Sequence, residues 1–182
     1  MIDCYFEMII YLIAQSESLF NIGLFAFNRN KIQAATINHV LLGKIIQFSN
    51  MSFKDLNLSN QLLKALDELG LTEPTTIQQR AFAPIMAGRD VLGIAQTGTG
   101  KTYAYLLPLM RLWKYSKALL PEILILVPTR ELVIQVLEET NKLGKYSNIL
   151  AVGAYGGGNI NVQMAEVHKG ANIVVATPGR LL

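Results

Sequence analysis

The chain has 182 residues, 51% of them hydrophobic, and a formal net charge of +3. This is enough apolar material for the core of one domain of ordinary size, and the modest charge permits a polyanionic partner without requiring one. The basic excess lies after residue 50. Because Cys4 is the single cysteine, an intramolecular disulfide and a cysteine-based zinc site are excluded. We therefore expect a reducing, cytoplasmic setting.

The first fifty residues differ in composition from the rest of the chain. They are rich in Ile, Phe and Asn and show no clear helical period. The apolar run MIIYLIA, at 8–14, is too short to span a bilayer, and Asp3 and Glu7 stand where a secretory signal needs positive charge. We expect no membrane partner, and we interpret residues 1–50 as an atypical extension. The hypothesis is that the native protein begins at Met51.

After Met51 the pattern alternates between helix and strand. Ser59 is a predicted helix cap, leucines follow at helical spacing, and Gly70 is a predicted stop. Later helices are predicted at Lys101–Ser116, Arg130–Leu143 and Ile160–Lys169. Short apolar runs predict buried strands at Asp90–Ala95, Glu122–Pro128, Asn148–Gly157 and Asn172–Pro178. This alternation predicts an α/β fold with a mostly parallel sheet.

The segment AQTGTGKT, at 95–102, has the pattern of a phosphate-binding loop, with Ala95 in the place of the usual first glycine. Gly98 and Gly100 would let backbone N–H groups approach phosphate oxygens at the start of a helix. Lys101 would reach the β- and γ-phosphates, and the Thr102 hydroxyl would join the Mg²⁺ shell. The predicted nucleotide-binding residues of this loop are Gln96, Thr97, Gly98, Thr99, Gly100, Lys101 and Thr102.

Gln78 lies about twenty residues upstream of the loop. A glutamine amide both donates and accepts hydrogen bonds, so it can pair with N6 and N7 of adenine, whereas guanine presents the wrong pattern at those edges. The alternative is an ordinary surface glutamine that opens a helix after Pro74.

Five short motifs together resemble the DEAD-box RNA helicases. Gly70, Pro74, Thr75, Ile77 and Gln78, preceded by Phe53, resemble the Q motif of that family, and AQTGTGKT resembles its Walker A loop. PTREL at 128–132 resembles motif Ia, the glycine pair at 156–157 resembles the GG motif, and TPGR at 177–180 resembles motif Ib. The resemblance covers residues 51–182 and implies part of a three-layer, RecA-like P-loop domain that binds ATP with Mg²⁺ and RNA.

The resemblance also implies roles for individual residues. Phe53 would be an aromatic lid on adenine, Gln78 the adenine reader and Thr75 a support for the loop. Single-stranded RNA can be held without sequence reading by donors along its phosphates, and ligands gather at the carboxyl ends of parallel strands. The residues expected to contact RNA are Pro128, Thr129, Arg130, Gly156, Gly157, Thr177, Gly179 and Arg180.

The Asp-Glu-Ala-Asp segment that supplies the Walker B acid in this family is absent from the sequence. The pairs Asp67-Glu68 and Glu138-Glu139 instead fit exposed helix faces. We therefore expect an incomplete domain that binds ATP and RNA but does not hydrolyse ATP alone, as the N-terminal fragment of an ATP-dependent RNA helicase that unwinds short duplexes. The alternatives are another P-loop NTPase, such as a small kinase or transporter ATPase, and a non-catalytic nucleotide- or RNA-binding module.

Overall fold

The computed structural model describes residues 9–11, 51–93, 95–114 and 120–181. Its strands are β1 (Ile9–Tyr11), β2 (Ile123–Leu126), β3 (Ala151–Ala154) and β4 (Ile173–Ala176). A short 3₁₀ helix spans Phe53–Leu56. The α-helices are α1 (Asn60–Glu68), α2 (Thr76–Met86), α3 (Lys101–Leu112), α4 (Arg130–Gly144), α5 (Ile160–His168) and α6 (Pro178–Leu181).

The described strands form one parallel sheet in the order β1-β2-β4-β3. Strands β2 and β3 both pair with β4, with Leu126 and Ala154 each opposite Ala176. All three strands therefore end at the same level, and the chain leaves each of them on the same side of the sheet. The prediction of an α/β fold with a parallel sheet is confirmed.

Alternate residues of the sheet pack into two different hydrophobic clusters. Ile125 and Val175 face the main core, which also contains buried residues of α1 to α4. Val174 and Ala176 face a smaller cluster, against which Val167 of α5 packs. Because successive side chains of a strand point to opposite faces, these clusters lie on the two sides of the sheet. The result is the predicted three-layer arrangement of helix, sheet and helix.

Helix α1 has both of its predicted ends. The Ser59 hydroxyl accepts a hydrogen bond from the Leu62 backbone N–H at 3.3 Å, as an N-cap does. Gly70 follows the helix with a left-handed φ of 69°, and the next N–H, that of Leu71, bonds the Leu66 carbonyl at 3.0 Å. This arrangement satisfies a carbonyl that the end of the helix would otherwise leave unpaired.

The prediction of a strand at Asp90–Ala95 is wrong. Residues 90–93 and 95 are not in a strand, and the Leu92 side chain is 47% exposed. Val91 packs against the core, and Gly93 lies beside Ile77 of α2. An apolar run becomes a strand only where a neighbour completes its hydrogen-bond ladder. In this structure the segment packs on helix α2 instead.

The remaining predictions are right in type. The strands are predicted too long, and the predicted ends of α4 (Leu143) and α5 (Lys169) each differ by one residue from the observed ends. The strands expected at Glu122–Pro128, Asn148–Gly157 and Asn172–Pro178 are four residues each. Helix α3 ends at Leu112, because Trp113 is extended with a ψ of 134°, and residues 115–116 of the predicted helix lie outside the described part.

Strand β1 was not predicted, because the first fifty residues show no clear period. Its three residues pair with β2 from Ile9 opposite Leu124 to Tyr11 opposite Leu126. The other residues of the extension lie outside the described residues, so the hypothesis of a start at Met51 stays a prediction. No helix in the described segments is both long and apolar enough to cross a membrane.

A glycine in β3 sets how closely α4 approaches the sheet. A Cβ added at Gly153 would lie 2.6 Å from Leu137 Cδ1 and 3.1 Å from Val133 Cγ1. We expect Gly153→Ala to lower the free energy of unfolding by about 1–3 kcal/mol, since the stiff valine has to move. The control is Gly156→Ala, where an added Cβ meets nothing within 4 Å. Urea unfolding of both variants tests this, and equal stabilities would contradict the close approach.

Candidate functional site

The start of α2 is joined to the phosphate loop by the Gln78 side chain. Its Oε1 accepts a hydrogen bond from the Thr75 backbone N–H at 3.0 Å, and its Nε2 donates to the Gly100 carbonyl at 3.1 Å. Gln78 is only 5% exposed. Thr75 is the N-cap of α2, so one amide both caps this helix and holds the residue that precedes α3.

Two glycines of the loop adopt backbone conformations that other residues disfavour. Gly98 and Gly100 have φ values of 81° and 82°, in the left-handed region. Gly100 is the N-cap of α3, and the first N–H groups of a helix have no partner within it. A Cβ added at Gly100 would lie 2.4 Å from Gln78 Nε2. The close approach of Gln78 therefore depends on glycine at this position.

Lys101, the first residue of α3, folds back into its own loop. Its Nζ donates to the Ala95 carbonyl at 2.6 Å and the Gln96 carbonyl at 2.5 Å. The side chain is 9% exposed, and this burial lowers the pKa of the ammonium group. The Thr99 hydroxyl also donates to Gln96, at 2.7 Å. A buried cation at the positive end of a helix fits a phosphate group, which could replace the two carbonyls.

The other predicted nucleotide ligands differ in exposure. Gln96, Thr97 and Gly98 are exposed, and Thr102 is half-buried in the first turn of α3. Phe53 is 4% exposed and packs in the main core, so the structure does not show an open ring face for a base. No cluster of three His, Cys, Asp or Glu side chains lies within the described part of the chain. The Phe53 lid and the Mg²⁺ role of Thr102 stay predictions.

The residues expected to contact RNA meet at the carboxyl ends of β2, β3 and β4. Backbone bonds continue the ladder just beyond the strands, from the Val127 N–H to the Ala176 carbonyl at 2.9 Å and from the Thr177 N–H to the Ala154 carbonyl at 3.0 Å. Pro128 and Thr129 follow β2, Gly156 and Gly157 follow β3, and Thr177 follows β4, with Gly179 in the helix α6 that comes next. The structure therefore brings these residues together at one edge of the sheet, and their contact with RNA stays a prediction.

Arg130 lies at this edge, beside an aromatic ring and a glycine. It is the first residue of α4, which Thr129 caps by accepting the Leu132 N–H at 3.3 Å. Its guanidinium carbon lies 5.1 Å from the centre of the Tyr155 ring, within the range of a cation–π contact. A Cβ added at Gly157 would lie 3.4 Å from the Arg130 Nη1. The guanidinium is exposed beside the glycine turn.

Arg180 approaches the same glycine turn from α6. Its Nη2 donates to the Gly158 carbonyl, and its Nε donates to the Gln163 Oε1 at 3.0 Å. Gln163 also bonds both backbone groups of Tyr155, accepting from its N–H at 3.3 Å and donating to its carbonyl at 3.2 Å. Both arginines are thus held against one turn.

Sequence reasoning missed Tyr155 and Gln163. Tyr155 immediately precedes the glycine pair, and that position was its only signal in the sequence. Gln163 had no signal in the sequence, because its side chain bonds a turn that lies at least five residues earlier in the chain. Such side-chain contacts to irregular backbone have no periodic pattern.

Comparison with known proteins identifies the family of the chain. The model of the DEAD/DEAH box helicase family matches residues 75–182, more than half of the chain. The match includes Gln78, the phosphate loop and the three loops at the sheet edge. The chain belongs to the DEAD/DEAH box helicase family.

Three relatives illustrate the similarity. The DEAD-box ATP-dependent RNA helicase RhpA of Helicobacter pylori is 43% identical over 131 residues, which are 72% of this chain and 26% of the relative. The ATP-dependent RNA helicase DeaD of Mycobacterium tuberculosis is 42% identical over 74% of this chain and 24% of its own length. DEAD-box ATP-dependent RNA helicase 20 of Arabidopsis thaliana is 41% identical over 77% of this chain and 29% of its own length. The chain spans about a quarter of the length of these relatives.

Alanine substitutions at Gly98 and Gly100 separate the effect of the Gln78 contact on stability from the effect of backbone strain. We expect Gly100→Ala to destabilise the protein more than Gly98→Ala, although both residues have a left-handed φ. An alanine at 98 meets nothing within 4 Å, whereas one at 100 displaces Gln78. The extra loss, measured by urea unfolding, should be about 1–2 kcal/mol, since a buried hydrogen bond is broken.

The difference in stability between Gly100→Ala and Gly98→Ala should disappear when Gln78 is replaced. In a Gln78→Ala background, the alanine at 100 no longer meets the amide, so the two glycine substitutions should have equal effects. A difference that persists in this background would show that the contact with Gln78 is not its cause.

Proposed function

We propose that this chain binds ATP at the phosphate loop and the backbone of single-stranded RNA at the carboxyl edge of the sheet. The observation that carries the proposal is the hydrogen bond from Gln78 to Gly100, which joins the candidate adenine reader to the candidate phosphate site. In the whole protein, these sites would serve ATP-driven unwinding of short RNA duplexes. The similarity to RhpA and DeaD, which are named as ATP-dependent RNA helicases, supports this function.

ATP would bind by replacing hydrogen bonds that already exist within the protein. Lys101 Nζ would exchange the carbonyls of Ala95 and Gln96 for phosphate oxygens. The Gln78 amide would exchange the Thr75 N–H and the Gly100 carbonyl for N6 and N7 of adenine. Mg²⁺, when bound with ATP, would neutralise phosphate charge, and the Thr102 hydroxyl is the candidate ligand in this chain.

RNA would bind through charge and backbone donors. Arg130 lies beside Gly157, and Arg180 bonds the Gly158 carbonyl. The exposed glycines of this turn allow a phosphate to approach backbone N–H groups. In the described part of the chain, the Arg180 guanidinium bonds an amide oxygen and a backbone carbonyl, and the Arg130 guanidinium lies beside the Tyr155 ring. Neutral partners of this kind leave a guanidinium able to attract phosphates. Contacts of this kind carry no base specificity.

Hydrolysis is proposed for the whole protein rather than for these 182 residues. The sequence contains no Asp-Glu-Ala-Asp segment, and P-loop enzymes need an acid for Mg²⁺ and a group that orients the attacking water. We propose that this chain holds ATP without turning it over, and that it is the N-terminal fragment of the helicase.

The adenine assignment is tested by nucleotide preference. We expect the chain to bind ATP more tightly than GTP, and Gln78→Ala to weaken ATP binding by about tenfold while leaving GTP binding almost unchanged. The reason is that only adenine uses both halves of the amide. Competition binding with a fluorescent ATP analogue measures both affinities.

The matched control for this measurement is Gln79→Ala. This neighbouring glutamine is half-buried, and its Nε2 bonds the Pro74 carbonyl at 2.8 Å. It should leave the preference for ATP intact. A Gln78→Ala variant that keeps the full preference would favour another class of P-loop NTPase.

The RNA assignment is tested by the salt dependence of binding. Replacing Arg130 or Arg180 by alanine should weaken binding of a short labelled oligouridylate and reduce the slope of log affinity against log salt by about 0.7 each, as expected for one lost phosphate contact on a single strand. Lys54→Ala, an exposed cation on the 3₁₀ helix, is the control and should leave the slope unchanged. Equal slopes for all three variants would contradict the proposed interface.

A further inference from the structure

Gln163 stands at an inward position of a helix that is otherwise exposed. No residue of α5 is fully buried, and Ile160, Val162 and Met164 are all about half exposed. Gln163 and Val167 are the half-buried residues of the helix. They are four residues apart and so lie on one face, and Val167 packs against the cluster beneath the sheet. Gln163 therefore occupies a core-facing position with a polar side chain.

Both polar atoms of the Gln163 amide form hydrogen bonds. Its Oε1 accepts two hydrogen bonds, from Tyr155 N–H and Arg180 Nε, which match the two lone pairs of an amide oxygen. Its Nε2 donates to the Tyr155 carbonyl, and a Cβ added at Gly158 would lie 2.6 Å from this nitrogen. The two Tyr155 bonds fix the plane of the amide, and the fixed oxygen then fixes Arg180.

The charge of the side chain that bonds Arg180 determines how strongly the guanidinium can attract an anion. A carboxylate at this position would hold the guanidinium more strongly but would cancel its charge. The neutral amide and the Gly158 carbonyl orient the guanidinium without placing a negative charge beside it. Arg180 has five N–H donors in total, so donors remain for an anionic ligand. A guanidinium that is oriented by neutral partners beside a glycine turn fits a phosphodiester.

We propose that Gln163 is a positioning residue for RNA binding: it acts through Arg180, which it holds against the turn at Gly158 for contact with an RNA phosphate. This inference rests on the proposed binding of RNA at the same edge. Tyr155 provides the anchor, because its backbone sets the orientation of the amide while its ring lies beside Arg130. One tyrosine thus connects the positions of both arginines.

The test is a double-mutant cycle in the 182-residue chain, with a fluorescein-labelled oligouridylate as the probe. Gln163→Leu keeps the size of the side chain and removes its hydrogen bonds, and it should weaken RNA binding by about fivefold. In an Arg180→Ala background, the same substitution should have almost no further effect. Asn161→Ala, which removes an exposed amide from the same helix, should leave the affinity unchanged.

A second variant separates positioning from simple structural support. Gln163→Glu keeps the acceptor for Arg180 but neutralises its charge, so it should reduce the salt slope by about 0.7, as the loss of one phosphate contact does. Gln163→Leu adds no charge, so its salt slope should also fall if Arg180 loses its phosphate contact, whereas a purely structural role of Gln163 would leave the slope of this variant unchanged. The thermal midpoint and the affinity for ATP, measured for each variant, should stay close to those of the unsubstituted chain.

The outcomes distinguish this inference from the proposed function. If the unsubstituted chain does not bind the oligouridylate, the RNA-binding proposal fails, and the inference fails with it. If the unsubstituted chain binds but the effects of Gln163→Leu and Arg180→Ala add independently, the inference alone is overturned. If Gln163→Leu does not fold, the cycle is made with Gln163→Glu, and independent effects there overturn the inference in the same way.

Discussion

The alignment of three parallel strands is the constraint on which the sheet edge depends. Because Leu126, Ala154 and Ala176 lie side by side, the chain leaves β2, β3 and β4 at one level. Helices α4 and α6 begin there, and so does the glycine turn that precedes α5. Side chains from sequence positions about fifty residues apart, such as Arg130 and Arg180, consequently approach one turn. A shift of one residue in either pairing would move these groups apart and invert the two faces of the shifted strand.

The phosphate loop depends on a different kind of contact. It is not joined to the described sheet by a strand, since residues 90–93 and 95 form none. Its position relies on the Gln78 bond to Gly100, on the inward fold of Lys101 and on the packing of α2 against α3. Position 100 needs glycine both for its left-handed φ and for the close approach of the Gln78 side chain. Position 98 needs glycine only for its left-handed φ. The two candidate sites are therefore built by different means within one fold.

Much of the fold and of the candidate site could be predicted from the sequence, and particular residues show where prediction stops. Ser59 and Gly70 predicted the ends of α1 because caps act within a few residues. The apolar run at Asp90–Ala95 was misleading, because a strand also needs a partner that local sequence does not contain. The glycines and arginines of the sheet edge followed from their positions after strands. Gln163 and Tyr155 were missed because their roles depend on contacts across the edge, and Phe53 is more buried than an adenine lid suggests.

The Gln78 amide bonds both Thr75 and Gly100. Binding of the base of a nucleotide would therefore affect the loop that holds its phosphates. The amide cannot turn towards a base while it holds both Thr75 and Gly100. Capture of adenine would thus release the residue that precedes α3, and anything that fixes Gly100 in its present place would oppose capture. Such an exchange makes base recognition and loop geometry thermodynamically linked, and the linkage is reciprocal. A protein of this kind would distinguish a complete adenine nucleotide from free phosphate by the state of the loop as well as by affinity.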